Sequence, residues 1–299
     1  CVTGLASFMY EIGWIRMLSL VLGSSTHAFE IMLSAFILGL AVGGLWIKRR
    51  IERFLDPLPV LALVQMVMAL LALSTLFGYS KTFDLMAWAM SMFNRSETGY
   101  IGFNSFSHFI AMIVMVPTTF CAGMTLPLLT FTAIKRGVGE KAVGAIYASN
   151  TIGAILGILI AVHLVMPTLG SRGTILVGAA LDFALGLLLL SNSSRGRSVM
   201  RVSLAAVAGI GALVLSVTLA EFDPGRMVSS VFRSGSPRLN LEVPFFKDGK
   251  TAAVSLAKDG TIIALGTNGK TDATLEFDLK RPPTGDEIVQ NMAGILPLS

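Results

Sequence analysis

Seven apolar stretches, each close to the length needed to cross a lipid bilayer, constrain this chain more than any other feature. They cover roughly residues 2–23, 27–47, 58–78, 106–133, 143–168, 174–191 and 202–220. A helix rises ~1.5 Å per residue, so about 20 apolar residues span a ~30 Å hydrocarbon core. Only 14% of the 299 residues are charged and 54% are hydrophobic, with a mean hydropathy of +0.74. Soluble domains are roughly one quarter charged. The expectation is an α-helical polytopic membrane bundle of about seven transmembrane helices, with the lipid bilayer as its first partner. Pro117 and Pro127 fall in the fourth stretch, which reads either as one kinked helix or as two shorter pieces.

Basic residues between the stretches orient them. Lys48, Arg49, Arg50 and Arg53 follow the second, Lys135, Arg136 and Lys141 the fourth, and Arg195, Arg197 and Arg201 the sixth. The opposite connections hold only Lys81, Arg95 and Arg172. Ten against three places the basic connections in the cytoplasm, the N-terminus inside and the tail beyond residue 220 outside. A bacterial inner membrane is the expected location. The net charge of +5 therefore reads as topology, and no nucleic-acid partner is expected. Residues 79–103 mix Phe83, Met86, Trp88 and Phe93 with Lys81, Asp84, Arg95 and Glu97, which reads as an interfacial helix or an ordinary loop with anchoring aromatics.

The character changes at Asp223-Pro224-Gly225, dividing the chain into a helical domain over 1–222 and a polar segment over 223–299. Asp248-Gly249, Asp259-Gly260 and Asn268-Gly269 recur about every ten residues, with short strands such as 251–257 and 261–265 between them. Asx-Gly supplies the positive φ angles of tight hairpins, so the segment reads as a small antiparallel β-meander. So small a sheet does not make a complete enzyme domain. The chain opens on Cys1 where an initiator Met would stand. That reads as a piece whose start lies upstream, with a lipidated N-terminus as the alternative. Cys121 reads as a buried thiol. His27, His108 and His163 have no ligand spacing, and no metal site is expected.

Ionisable groups at membrane depth are costly and normally face an interior or a cavity. Glu11, Arg16, Glu30 and Asp182 are those groups here. Glu11 and Arg16 point about 140° apart on one helix and pair poorly. A short turn at 23–26 puts Arg16 and Glu30 at similar depth, so an Arg16–Glu30 ion pair is expected. It reads first as a structural pair near the interface and second as a polar site for a charged ligand. Asp182 reads as paired to a neighbouring helix. Gly39 with Gly43, and Gly153 with Gly157, have the spacing that lets helix backbones approach. Asn150, within Ser149-Asn150-Thr151, is expected to hydrogen-bond between helices. The tail has no nucleophile–base constellation and no Gly-rich phosphate loop. Asp286-Glu287 reads as a solvated helix start.

Four segments resemble a known family. These are Gly4-Leu5-Ala6-Ser7-Phe8-Met9-Tyr10-Glu11-Ile12-Gly13-Trp14-Ile15-Arg16, Tyr147-Ala148-Ser149-Asn150-Thr151-Ile152-Gly153-Ala154-Ile155-Leu156-Gly157, Lys247-Asp248-Gly249-Lys250-Thr251, and Asn268-Gly269-Lys270-Thr271-Asp272. Together they are similar to bacterial fused transporter-like/spermidine synthase membrane proteins. The resemblance implies that the meander is the N-terminal hairpin domain of an aminopropyltransferase-like fold. A Rossmann-like domain that binds decarboxylated S-adenosylmethionine would follow it. The chain ends at Ile295-Leu296-Pro297-Leu298-Ser299, about where that domain should begin, so its Gly-rich loop and catalytic Asp are missing and no catalytic residue is expected here.

By the same resemblance, Asn268, Gly269, Asp272 and Gln290 are the cofactor-facing candidates. The family's turn has Gln where Asp272 stands, and its Tyr-His-Glu stretch is replaced by Val289-Gln290-Asn291. The expectation is the membrane-embedded part of a spermidine synthase-like protein, not catalytic by itself. The alternatives are a transporter-like protein with a regulatory tail, or a non-catalytic scaffold subunit. A homo-oligomer or larger membrane complex is possible for each.

Overall fold

The computed structural model describes residues 1–93, 96–139, 141–193, 199–237 and 241–295. It is mostly helical with a C-terminal four-stranded antiparallel sheet. The long helices are α1 (Val2–Leu22), α2 (Thr26–Lys48), α3 (Leu58–Met92), α4 (Glu97–Lys135), α5 (Lys141–Ile160), α6 (Met166–Ser191) and α7 (Val199–Leu219). A five-residue π turn, Ala161–Val165, joins α5 to α6 without a loop. Counted as continuous pieces, six helices are long and apolar enough to cross a membrane, one of them the 51-residue run Lys141–Ser191.

That run does not pass the bundle once. A straight 51-residue helix would be about 76 Å long, more than twice a hydrocarbon core. Gly170 breaks it with φ 71° and ψ −174°, a conformation only glycine adopts readily. The contacts along α1 reverse there. A Cβ on Gly153 or Gly157 would meet the Cys1 or Leu5 carbonyl, so α5 runs parallel to α1. Beyond Gly170 the order inverts, with Ile175 against Gly13 and Gly178 against Tyr10.

Helix α4 settles the proline ambiguity: it is one helix with Pro117 and Pro127 inside it. Thr119 and Thr125 donate to carbonyls three or four residues back. The separate interfacial helix expected over 79–103 is not there. Residues up to 92 continue α3, residues from 97 belong to α4, and Arg95 lies outside the described residues. The aromatic mixture that suggested a surface helix is instead a helical hairpin. It buries Tyr79, Phe83, Met86 and Ala89 against its neighbours.

Close crossings set the packing. The glycine pairs let α2 lie on α4 and α5 lie on α1 with backbones nearly touching. The core gathers Tyr10, Trp14, Met17, Ile31, Leu61, Met68 and Leu76, all almost fully buried. Exposed Leu, Ile and Val cover the outside of α2, α5 and α7, as expected of a lipid-facing surface. Lys135 Nζ donates to the carbonyl of Phe54 at 2.8 Å, so the basic loops after α2 and α4 share one end of the bundle. Arg195 and Arg197 lie outside the described residues.

The sheet sits at the other end. Its strands are β1 (Glu242–Asp248), β2 (Ala253–Asp259), β3 (Ile262–Thr267) and β4 (Lys270–Glu276), paired in sequence order. Each strand predicted from the sequence shifts by a residue or two from 251–257 and 261–265. Asn268 and Gly269, at φ 51° and 75°, form the two-residue turn between β3 and β4. Short helices α8 (Pro224–Met227) and α9 (Val231–Ser234) lead from the bundle to the sheet. Helix α10 (Gly285–Ile295) closes the described chain, and residues 296–299 lie beyond it. Thr284 and Glu287 cap α10 reciprocally through side chain and backbone, which accounts for Asp286-Glu287 as a helix start.

Candidate functional site

Two polar features stand out, one where the sheet meets the bundle and one inside the bundle. The first centres on Arg16, near the end of α1. Its Nη1 donates to the Thr251 carbonyl at 2.8 Å and to Asn268 Oδ1 at 3.4 Å. Its Nη2 donates to the carbonyls of Lys250 at 3.1 Å and Gly249 at 3.5 Å. One guanidinium thus gathers the β1–β2 turn and the β3–β4 turn. Asn268 Oδ1 also accepts from the Ala253 amide at 2.9 Å, locking the two turns together.

The expected Arg16–Glu30 ion pair is absent. Glu30 is exposed and lies 3.6 Å from His27, one turn away on the same helix. The turns of the sheet take the Arg16 donors instead. Backbone carbonyls accept from the planar five-donor fork without supplying a countercharge.

Two more bonds fix the sheet. Asp248 Oδ2 accepts the Ser171 amide at 2.8 Å, just past the break at Gly170. Ser230 Oγ donates to the Gly269 carbonyl. Gly269 is buried, and a Cβ there would lie 3.1 Å from the Met227 carbonyl and 3.3 Å from Leu20. The remaining candidates lie elsewhere. Asp272 is exposed and pairs with Lys270 at 3.8 Å. Gln290 is exposed on α10, which packs on β4 through Thr274 and Glu276. No hydrogen bond joins Gln290 to the 268–269 turn among the described residues.

The second feature is a buried polar seam. Tyr10 Oη donates to Asp182 Oδ2 at 2.7 Å, tying α1 to α6 with both groups buried. Asp182 therefore does pair to a neighbouring helix, through a phenol. Tyr10 stacks on Trp14 at 5.5 Å, and Trp14 Nε1 donates to Thr75 Oγ1 at 3.0 Å. Gln65 donates to Thr3 at 2.5 Å. Asp182 Oδ1, Glu11 Oε2 and Gln65 Oε1 are buried without a hydrogen-bond partner. Neither carboxyl has a cation within 4.0 Å among the described residues.

Asn150 reaches α1 by packing across Gly4, and Thr151 bonds to its own helix at Tyr147. The interhelical hydrogen bonds expected of this triplet are not formed among the described residues. The backbone approach at the neighbouring glycines leaves contact by packing instead. No group of three metal-ligating side chains occurs among the described residues.

Sequence reasoning missed Tyr10, Gln65, Asp248 and the turn carbonyls. Asp248 had a signal, since it opens the Asp-Gly turn, but nothing in the spacing points it to residue 171. Comparison with protein-family models, curated proteins and solved structures finds no match to this chain.

Proposed function

We propose that this chain is the membrane-embedded portion of a spermidine synthase-like protein, whose bundle holds the β-meander as a fixed platform at the membrane face. One observation carries the reading. One of the four segments that resemble that family is α1 itself, and the other three contact it. The Tyr147–Gly157 segment packs along Gly4 and Leu5, while Arg16 grips the turns at 249–251 and 268. One helix thus joins motifs separated by more than 200 residues, the α5 segment at its start and the two β-turns near its end.

In this reading the bundle crosses a bacterial cytoplasmic membrane seven times, with the reversal at Gly170 separating the fifth and sixth crossings. The meander lies on the side opposite the basic loops. Asn268 and Gly269 hold the platform to the bundle. The exposed strand β4, with Asp272 and α10 beside it, offers the wall against which a cofactor-binding domain would close. Aminopropyl transfer needs a sulfonium cofactor held against an amine and a base to take its proton. Decarboxylated S-adenosylmethionine is the cofactor implied, and a Rossmann-like turn would bind it.

The test is to express the protein from its own reading frame, reconstitute it in liposomes, and supply decarboxylated S-adenosylmethionine with putrescine. Methylthioadenosine release that disappears on truncation after residue 299 supports the reading. No release from the native-length protein overturns it.

The buried carboxyls favour a second reading, a transporter-like bundle. An isolated carboxylate in a low-dielectric interior is strongly disfavoured unless a proton or cation accompanies it. Solute or proton flux through liposomes holding the chain alone, abolished by Asp182→Asn, would select it.

A further inference from the structure

The α1–α2 hairpin and the first β-turn enclose a cavity of about 350 Å³, at the lower end of ligand pockets, which run roughly 300–1,000 Å³. Two cations, Arg16 and Lys250, line it, and no carboxylate does. Neither cation has an ion-pair partner within 4.0 Å among the described residues. Arg16 is met only by carbonyl and amide oxygens, two of them at 3.4 Å or more. Asp248, the carboxylate of the same turn, is engaged by the Ser171 amide. Glu30 pairs with His27 and does not line the cavity. Two cations without a close ion-pair partner therefore line an open space that also takes in Ser24, with Asp248 near Arg16 but outside the lining.

The rest of the lining is apolar. Ile12, Ile15, Phe29 and Met32 form its apolar wall. Arg16 lies six residues before the end of α1, level with Met32 on α2, and Ile12 lies one turn deeper on the same helix. Lined by two cations and by apolar side chains together, the cavity matches one ligand chemistry. We propose that it binds an anionic amphiphile, a phosphate- or carboxylate-headed molecule whose head meets Arg16 and Lys250 and whose tail lies along Ile15, Phe29 and Met32. The site stands whether or not the chain belongs to a transferase.

The experiment reconstitutes wild type, Lys250→Gln and Ile15→Trp in nanodiscs of equal dioleoyl phosphatidylglycerol and phosphatidylcholine, extracts them into detergent, and counts retained lipids by native mass spectrometry. Wild type should retain the anionic lipid in preference to the zwitterionic one. Lys250→Gln, at an exposed position outside the fold's core, should lower that retention about fivefold, the effect of one interfacial cation. Ile15→Trp keeps both cations and fills the tail wall, so it should lose retention as well. Equal retention of the two lipids by wild type overturns the proposal, as does retention unchanged in Lys250→Gln. A third arm adds sn-glycerol 3-phosphate. If it displaces the lipid and binds Ile15→Trp as well as wild type, the site takes a free anion and the amphiphile assignment falls.

Discussion

The Asp248 carboxylate accepts the Ser171 amide at 2.8 Å, joining the end of the first strand to the first helical residue after Gly170. It serves two elements at once. It caps a helix start whose amide would otherwise be buried unpaired, and its negative charge favours that helix end. Asp248→Ala should cost about 1–3 kcal/mol through the orphaned amide. Asp248→Asn keeps an acceptor and should cost less. Trypsin cleavage within the meander, at exposed Lys258 or Lys270, reads the loosened platform. Equal cleavage rates for Asp248→Ala and wild type would show that this bond does not hold the sheet.

Arg16 should matter more than Asp248 for the same readout. It reaches two turns, and removing it leaves several oxygens without a donor. Arg16→Gln should speed tryptic release of the meander beyond Asp248→Ala, while Glu30→Ala should leave it unchanged. An effect of Glu30→Ala equal to that of Arg16→Gln would restore the pair that the sequence suggested.

The Tyr10–Asp182 bond can be measured as a coupling. Intramembrane side-chain hydrogen bonds average about 0.6 kcal/mol in double-mutant cycles and reach about 1.7. A buried phenol–carboxyl bond of 2.7 Å belongs near the upper figure. Tyr10→Phe and Asp182→Asn, alone and combined, in reversible unfolding from mixed micelles, give that coupling. A value near zero would mean that Asp182 is held by its surroundings and not by Tyr10.

Backbone proximity between α2 and α4 gives a sharper stability test. A Cβ at Gly43 would lie 1.9 Å from the Phe120 carbonyl, and one at Gly123 would lie 2.1 Å from that of Leu40. Neither oxygen can move without moving a helix. Gly43→Val should therefore destabilise by about 1–3 kcal/mol or more. Gly211, with no atom within 4 Å of a Cβ, is the control, and Gly211→Ala should be neutral or stabilising because alanine favours helix. Comparable losses at both sites would show that the crossing is not as close as described.

What the sequence disclosed and what it hid follow from physics. Long apolar runs and Asn-Gly turns are local, so the helices and the meander could be read directly. The glycine pairs identified close crossings for the same reason. Arg16 was recognised as needing compensation, but its partners are backbone carbonyls, which every residue carries and no pattern marks. Tyr10 and Asp182 are 172 positions apart, and a tyrosine in an apolar run reads as packing. The hairpin over 79–103 failed for another reason. A helix that outgrows the bilayer while staying packed has the same aromatic and charged mixture as one lying on the surface. Only the burial of Tyr79 and Phe83 tells them apart.

Topology is the remaining test, and it turns on Gly170. Glu52 lies in the basic loop after α2, and Lys258 lies in the meander after α7. If the run 141–191 crosses twice, an odd number of crossings separates them and they face opposite sides. If it crosses once, the number is even and they face the same side. In a Cys1→Ser background, where the remaining Cys121 is buried, single cysteines at Glu52 and Lys258 can be probed with a membrane-impermeant maleimide on intact cells. Glu52→Cys should label only after the membrane is opened, as the basic bias requires. Lys258→Cys should label from outside. The reversed contacts of α5 and α6 along α1 make two crossings the physical expectation, since a helix that turns back within the bundle must exit on the side it entered. Labelling of both positions from the same side would mean that the reversal at Gly170 is not a membrane turn, and the meander would then belong with the basic loops.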